Sequence, residues 1–333
     1  MTSDRKARPP RQPRIGIALG SGIARGWAHI GVLKALEEVG IVPDIVCGTS
    51  IGAVIGGNYL IGRLDAFEAW ARRLTGVGML RYLDIRLGGG GVFGGRRLKA
   101  LMQETLGDWR IEDLRAPFVA VATDLATGHE VWVKEGPLVD AVMASYALPG
   151  AFAPVKVDGR WLIDGALVNP VPVSVCRALG ARLVIAVNLN ADVFGKTQVT
   201  EGDNELVARI GVSSDDEADE HAAHARPVNM VMRQLFGHSV NAPSMLSNMV
   251  AALNIVQDRL CRSRLAGDPP DVTVAPRLGH IGLLEFHRAA ECIDEGRAAL
   301  ERTMPRLSHA LAVLADWPGP GRPRTRTFLS RDR

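Results

Sequence analysis

The sequence predicts a three-layer α/β/α sandwich around a mostly parallel sheet. Short apolar runs recur with helical patterns between most of them, a Gly-rich turn follows the first run, and a second run passes through Thr49 and Ser50 into an uncharged helix. Together these form a βαβ unit, which requires parallel pairing and a right-handed crossover.

The first strand is read from Ile15, Ile17 and Leu19, and the helix after the loop from Val32, Leu33, Leu36 and Val39, closing at Gly40 as a natural C-terminal cap. Pro43 introduces a second strand over residues 44–48, and a small-residue helix follows. Further strands are expected over 117–123, 129–133, 160–163, 182–189 and 271–275, without any internal repeat. Residues 191–227 are polar, locally acidic and poor in large apolar side chains, so they read as a flexible insertion. A long helical region is expected over 228–265, where Leu246, Met249, Val250, Leu253, Val256 and Leu260 keep helical spacing and Met230, Met232, Met245 and Met249 cluster. Such a Met-rich stripe suits core or dimer packing, and less commonly a lipid or partner face. A last helix over 283–311 is expected to break near Pro305. The chain therefore divides into a basic disordered tail (1–13), one domain (14–312, with 191–227 as its flexible insertion and 228–312 as its helical C-terminal part) and a Pro/Arg-rich tail (313–333).

Composition narrows the function classes. With 47% hydrophobic and 23% charged residues and a mean hydropathy of +0.08, the 333-residue chain has the makeup of a folded protein. Its longest nearly uncharged apolar stretch, residues 51–62, falls well short of the ~20 residues a membrane span needs. No secretory signal is read at the N-terminus, and Cys47, Cys176, Cys261 and Cys292 stand too far apart for a CxxC site, so a reducing, cytoplasmic setting is expected. The net charge of +3 hides an asymmetry: residues 1–14 carry +4, residues 321–333 carry +4, and the body between them carries −5. Basic tails of this kind suit solvated ends or peripheral contact with an anionic inner membrane face. Nucleic acid is not an expected partner, since the body has no basic stripe interleaved with aromatics. Nothing in the sequence fixes an oligomeric state.

Chemistry concentrates at two loops. Gly48, Thr49, Ser50, Ile51 and Gly52 make a G-x-S-x-G between strand and helix, which fits either a nucleophile elbow or a glycine-lined N-cap. Upstream, Gly20, Ser21, Gly22, Ile23, Ala24, Arg25 and Gly26 open a helix and gather amide N–H groups at its positive end, an anion site for phosphate or for the oxyanion of ester attack. Arg25 stands where a dinucleotide fingerprint needs glycine, and no Lys-Ser/Thr pair follows to make a P-loop. At the C-terminal edge of neighbouring parallel strands the two loops would face each other. For the base, Asp164 ends the 160–163 strand beside Trp161 and Leu162, where partial burial would raise its pKa; an Asp-Gly turn without a chemical role is the plainer alternative. His129, His221, His224, His238, His280, His287 and His309 lack a recognisable active-site context, and the pair His221 and His224 beside Asp215 and Asp216 reads as solvated rather than as a metal site.

The blocks ALGSGIARGWAHIGVLKALEEVGI, GTSIGA and ASYALPGAFAPVKVDGRWLIDGALVNPVPV resemble, in order and spacing over about residues 14 to 190, the hallmark blocks of bacterial patatin-like phospholipases in the neuropathy target esterase-like branch. The resemblance implies a patatin-like fold and a Ser–Asp dyad hydrolase of lipid ester bonds. In it Ser50 is the nucleophile, Asp164 the base, Gly22, Ile23, Ala24 and Arg25 form the oxyanion hole, and Gly48 and Gly52 flank the elbow. It implies no metal or cofactor and a lipid or other ester as substrate. Ser21 and Ile23 interrupt the glycine run of the family loop, and the β-branched Ile23 narrows the pocket or tilts an N–H. The TDLATG segment over 123–128 also resembles a family segment, with a structural role. Two other readings stand beside this one: an α/β-hydrolase with Ser–Asp–His order, disfavoured because two strands rather than several precede Ser50, and a catalytically weak lipid- or anion-binding regulatory protein using the same loop.

Overall fold

The computed structural model describes residues 14–75, 91–93, 96–192 and 245–315. Its centre is an eight-stranded sheet in the order β10-β9-β1-β2-β4-β8-β7, with β5 also paired to β4. The strands are β1 (Ile15–Leu19), β2 (Ile45–Thr49), β4 (Phe118–Asp124), β5 (Glu130–Val133), β7 (Val155–Val157), β8 (Arg160–Asp164), β9 (Leu183–Val187) and β10 (Val272–Val274). A separate two-stranded sheet joins β3 (Gly91–Phe93) to β6 (Gly150–Phe152). From β10 to β4 every pairing is parallel, whereas β5, β7 and β8 run antiparallel to their partners. β1, β2, β4 and β9 are buried along their whole length because both of their faces are covered.

Alternating side chains separate two cores. Ile15, Ile17, Leu19, Val46, Ala120, Ile185 and Val187 point into one; Ala18, Ile45, Cys47, Val119, Val121, Val184 and Ala186 point into the other. Against the first pack α1 (Ala28–Glu38), α2 (Ile51–Leu60), α3 (Leu64–Ala71), α4 (Arg96–Leu106), α5 (Leu138–Ser145) and α8 (Ala289–Ala315). Against the second pack α6 (Val173–Ala178) and α7 (Met245–Gly267), through Val173, Val175, Cys176 and Cys261. The layering is thus α/β/α. All four cysteines are buried and free. Among the described residues no helix is long and apolar enough to cross a membrane.

The expected strands appear within one or two residues of their places. The C-terminal helices differ more. Residues 283–288 hold a 3-10 turn rather than the start of the last helix, which begins at Ala289 and continues through Pro305 to Ala315. Pro305 removes one N–H, but Glu301, whose carbonyl loses that donor, lies on the exposed face, where water can replace it. On the opposite face Leu300, Leu307 and Leu311 anchor the helix in the core. The long helix expected from residue 228 is described from Met245 onward, and the 191–227 insertion, including His221, His224, Asp215 and Asp216, lies almost wholly outside the described residues.

Two glycines set how closely α1 and α8 cross. A Cβ on Gly31 would stand 1.9 Å from the Ile293 carbonyl oxygen, and one on Gly296 would stand 2.0 Å from that of Ala28. Since both obstacles are backbone, the helices would have to move apart. Gly296→Ala is therefore expected to lower stability by about 1–3 kcal/mol, read as a lower urea midpoint with an unchanged slope.

Candidate active site

One edge of β4 brings the site together. Phe118 to Val121 face Val46 to Thr49 of β2, and directly beyond them Ala122, Thr123 and Asp124 face Asp164, Ile163 and Leu162 of β8. Because β5 covers Ala120 to Thr123 from the other side, β2 and β8 must share the remaining edge, end to end. The end of β2 and the end of β8 consequently meet, carrying Ser50 and Asp164 to the same point. The Ser50 hydroxyl donates to Asp164 Oδ2 at 2.6 Å, and both residues are buried.

Ser50 turns the chain from β2 into α2 with φ 57° and ψ −123°, a backbone conformation that favours glycine and costs a side-chain-bearing residue about 1–3 kcal/mol. Several contacts hold it there. Its N–H donates to Ser145 Oγ at 2.8 Å, and the Ser145 hydroxyl in turn donates to the Val121 carbonyl at 2.6 Å. Its own carbonyl accepts from the Ala53 N–H at 2.9 Å. Gly48 and Gly52 permit the sharp entry: a Cβ on the first would lie 2.5 Å from backbone atoms of Gly52, and one on the second 2.1 Å from the Leu19 carbonyl.

Asp164 is fixed on all sides. Its Oδ1 accepts the Ala166 N–H at 2.8 Å, its carbonyl accepts from the Thr123 hydroxyl at 2.9 Å, and its N–H donates to Ala147 at 2.9 Å. Burial pushes its pKa up to about 6 from the ordinary carboxylate value, against the opposing pull of the hydrogen bonds from Ser50 and Ala166. Trp161, expected to help desolvate it, does not: alternation along β8 puts Leu162 on the side of Asp164 and turns Trp161 outward, 54% exposed. The TDLATG segment supplies Thr123 to this network and a tight turn in which Asp124 Oδ1 accepts from the Ala126 and Thr127 N–H groups.

The Gly-rich loop lies against the first turn of α2. A Cβ on Gly26 would overlap the Ile51 side chain, and one on Gly52 would come within 2.9 Å of the Gly20 carbonyl. Its amides are not equivalent. Gly20 donates to Val187, Ser21 to Pro170, Ala24 to Leu283 and Arg25 to Gly22, whereas those of Gly22 and Ile23 have no partner among the described hydrogen bonds. The 3-10 turn and residue 283 take the Ala24 and Arg25 N–H groups, which leaves those of Gly22 and Ile23, the two expected to face an oxyanion, as the available donors of the loop. Ile23 adopts φ 49°, so the position where the family loop carries glycine is one where glycine would be free of strain.

Two supports of this loop escaped the sequence reading. His29 is fully buried, and its Nε2 lies 2.7 Å from the Gly20 carbonyl, which requires the proton on that nitrogen; burial lowers the pKa to about 4, so the ring is neutral. The second is the segment before α8: Arg25 Nε donates to the Ile281 carbonyl at 2.8 Å, Ala24 N to Leu283, and Trp27 Nε1 to Phe286 at 3.2 Å. His29 sits within the quoted GWAHIG block and Ser145 within ASYALPG, so their positions were visible though their roles were not. The clamp over 281–286 acts through backbone carbonyls, which leave no side-chain signature. Among the other histidines, His280 faces Glu291 on the surface and His129, His287 and His309 are exposed, so none of them belongs to the Ser50–Asp164 pair.

The family model for patatin-like phospholipase matches residues 17–177. An uncharacterized NTE family protein of Mycobacterium tuberculosis is 36% identical over 330 residues, covering 88% of this chain and 92% of its own. The chain belongs to the patatin-like phospholipase family. Human patatin-like phospholipase domain-containing protein 6 is 37% identical over 184 residues, 53% of this chain and 13% of the human protein. The neuropathy target esterase sws of Drosophila melanogaster is 37% identical over 185 residues, with the same two shares. Membership supports a hydrolase of lipid esters in general terms.

Strain at Ser50 separates two substitutions. Ser50→Gly is expected to be more stable than Ser50→Ala by about 1–2 kcal/mol, measured as the difference in their thermal or urea midpoints; equal stabilities would mean that the φ 57° turn stores no strain.

Proposed function

We propose that the chain is a serine acyl hydrolase cleaving lipid carboxylic esters, as a phospholipase, lysophospholipase or carboxylesterase, with Ser50 as nucleophile and Asp164 as its base. The observation that carries this reading is the 2.6 Å hydrogen bond from the Ser50 hydroxyl to a carboxylate whose pKa burial has raised. Ser50 Oγ attacks the ester carbonyl carbon while its proton passes to Asp164 Oδ2 along that bond. The carbonyl oxygen becomes an oxyanion that accepts the N–H groups of Gly22 and Ile23, with Arg25 and His29 holding the loop from behind. As the tetrahedral intermediate collapses, the alcohol leaves with the proton from Asp164 and an acyl-Ser50 remains. Water then attacks the acyl carbon, giving its proton to Asp164. Collapse of this second intermediate releases the fatty acid and returns the proton to Ser50.

Raising the Asp164 pKa strengthens it as a base while leaving it ionised at neutral pH. The two free amides suit an oxyanion, with each such donor worth about 10²–10³ in rate in other acyl-transfer enzymes. No step needs a metal or cofactor.

A fluorophosphonate probe is expected to label the wild-type chain and not Ser50→Ala; equal labelling of both would remove Ser50 as nucleophile and leave the loop as a ligand-binding device. The pH dependence follows from the base. Protonated Asp164 cannot accept the serine proton, so kcat/KM is expected to hold a plateau above pH of about 6 and to fall about tenfold per unit below it. A profile that stays flat down to pH of about 4, the ordinary carboxylate range, would exclude a base with a raised pKa.

A further inference from the structure

Asn169 ties together the chain segments that carry Ser50 and Asp164. Its N–H donates to the carbonyl of Gly165, the residue after Asp164, at 2.9 Å. Its own carbonyl accepts the hydroxyl of Thr49, the residue before Ser50, at 2.8 Å. Asn169 and Thr49 are both buried. Alternation gives these contacts a side of their own. Thr49 pairs with Val121, which points into the second core, whereas Asp164 pairs with Ala122, which points into the first. Ser145, on α5, braces the elbow from the side of the first core; Asn169 braces it from the side of the second.

A backbone carbonyl can hold its partner only if its own residue is held, and the Asn169 side chain supplies that anchor. Its Nδ2 donates to Glu130 Oε1 at 2.9 Å and to Ser174 Oγ, at the start of α6, at 3.1 Å. Glu130 gathers further donors on the same face. Trp132 Nε1 donates to its Oε1 at 2.7 Å and Arg264 Nη2, from α7, to its Oε2 at 3.0 Å. Arg264 Nε also donates to the carbonyl of Val168, next to Asn169, at 2.9 Å. Hydrogen bonds to an ionised carboxylate are about twice as strong as neutral ones, so this is the firm end of the chain of contacts. In register Glu130 faces Thr123, whose hydroxyl donates to the Asp164 carbonyl, so the same carboxylate sits beside a second support of the base.

We propose that Asn169, oriented by Glu130, is a positioning residue that sets the spacing of Ser50 and Asp164. It fastens the residue before the nucleophile to the residue after the base, and thereby keeps their 2.6 Å hydrogen bond from the side of the second core. A misplacement of about 1 Å in such a pair costs on the order of 10² in rate. Through Arg264 the relay reaches α7, which lies beyond the family segment 17–177. The proposal deepens the Ser50–Asp164 reading and rests on it.

The test compares full-length variants by their rate of fluorophosphonate labelling and by the pH dependence of kcat/KM on a soluble short-chain ester. Asn169→Asp, which sets a second carboxylate against Glu130, is expected to slow labelling and lower kcat at least about tenfold, with KM within about twofold of wild type. Adding Glu130→Gln restores a donor opposite the new acceptor and is expected to bring both rates back to within about threefold. Thr49→Val, which loses the hydroxyl at nearly constant shape, is expected to lose about tenfold, and Thr49→Ser to stay within about threefold. If Asn169→Asp does not fold, the Thr49 pair carries the same comparison. In the slow variants the Ser50 hydrogen bond that lowers the Asp164 pKa is weakened, so the acid limb is expected to move upward from about 6. The Tyr146 phenol beside Asp164, its pKa raised by burial, stays protonated throughout that range. A merely less stable fold would reduce the active fraction and leave the acid limb in place. Unchanged rates in Asn169→Asp and Thr49→Val, an unmoved acid limb in the slow variants, or slow variants that neither Glu130→Gln nor the serine rescues would each overturn the proposal, while labelling of wild-type Ser50 leaves the dyad standing. Absence of that labelling overturns the dyad and the proposal together.

Discussion

The rest of the site depends on one edge of β4 serving two strands in succession. Thr49 ends its pairing opposite Val121, and Asp164 begins opposite the next residue, Ala122. Between these two partners there is no room for a regular turn. The chain must leave β2 abruptly, and the φ 57° conformation of Ser50 is how it does so. The strained serine and the adjoining carboxylate are therefore consequences of the same register rather than two independent devices. Gly165 completes the fit, because a Cβ there would stand 2.1 Å from the Val121 carbonyl. Ser145 reads the same junction from the other side, bonded at once to the Ser50 N–H and the Val121 carbonyl.

Energetically the site is a set of opposing costs. A buried carboxylate and two left-handed non-glycine residues, Ser50 and Ile23, all work against folding. They persist because the surroundings over-determine them: each is embedded between β-strands and helices whose apolar faces are fully buried. His29 shows the same economy, a neutral imidazole used as a hydrogen-bond donor to the loop.

Much of this could be read from the sequence, and the limits have physical causes. β1, β2, β4 and β9 were legible because strands covered on both faces are short unbroken apolar runs between glycines, prolines and charges. β3, β6 and β7, of three residues each, are too short to show a period. The direction of β8 is a non-local property that no local pattern encodes, yet it decides where Asp164 points. The likeness to the family blocks supplied the pairing of Ser50 with Asp164 that spacing alone left open. That the Ala24 and Arg25 N–H groups are taken by the Leu283 and Gly22 carbonyls is set by the fold alone and has no local sequence signature. Pro305 was over-read as a break, since the cost of a missing donor is small where water replaces it.

The clamp on the Gly-rich loop has a consequence for how the protein comes into being. Ile281, Leu283 and Phe286 follow the matched family segment, 17–177, by about a hundred residues, yet their carbonyls hold Arg25, Ala24 and Trp27 in place. During synthesis the serine and its carboxylate emerge long before these residues do. The newborn chain thus passes through a stage in which Ser50 and Asp164 are present while the turn over residues 23–27 still lacks the carbonyls that hold it, and arrival of the C-terminal segment completes it.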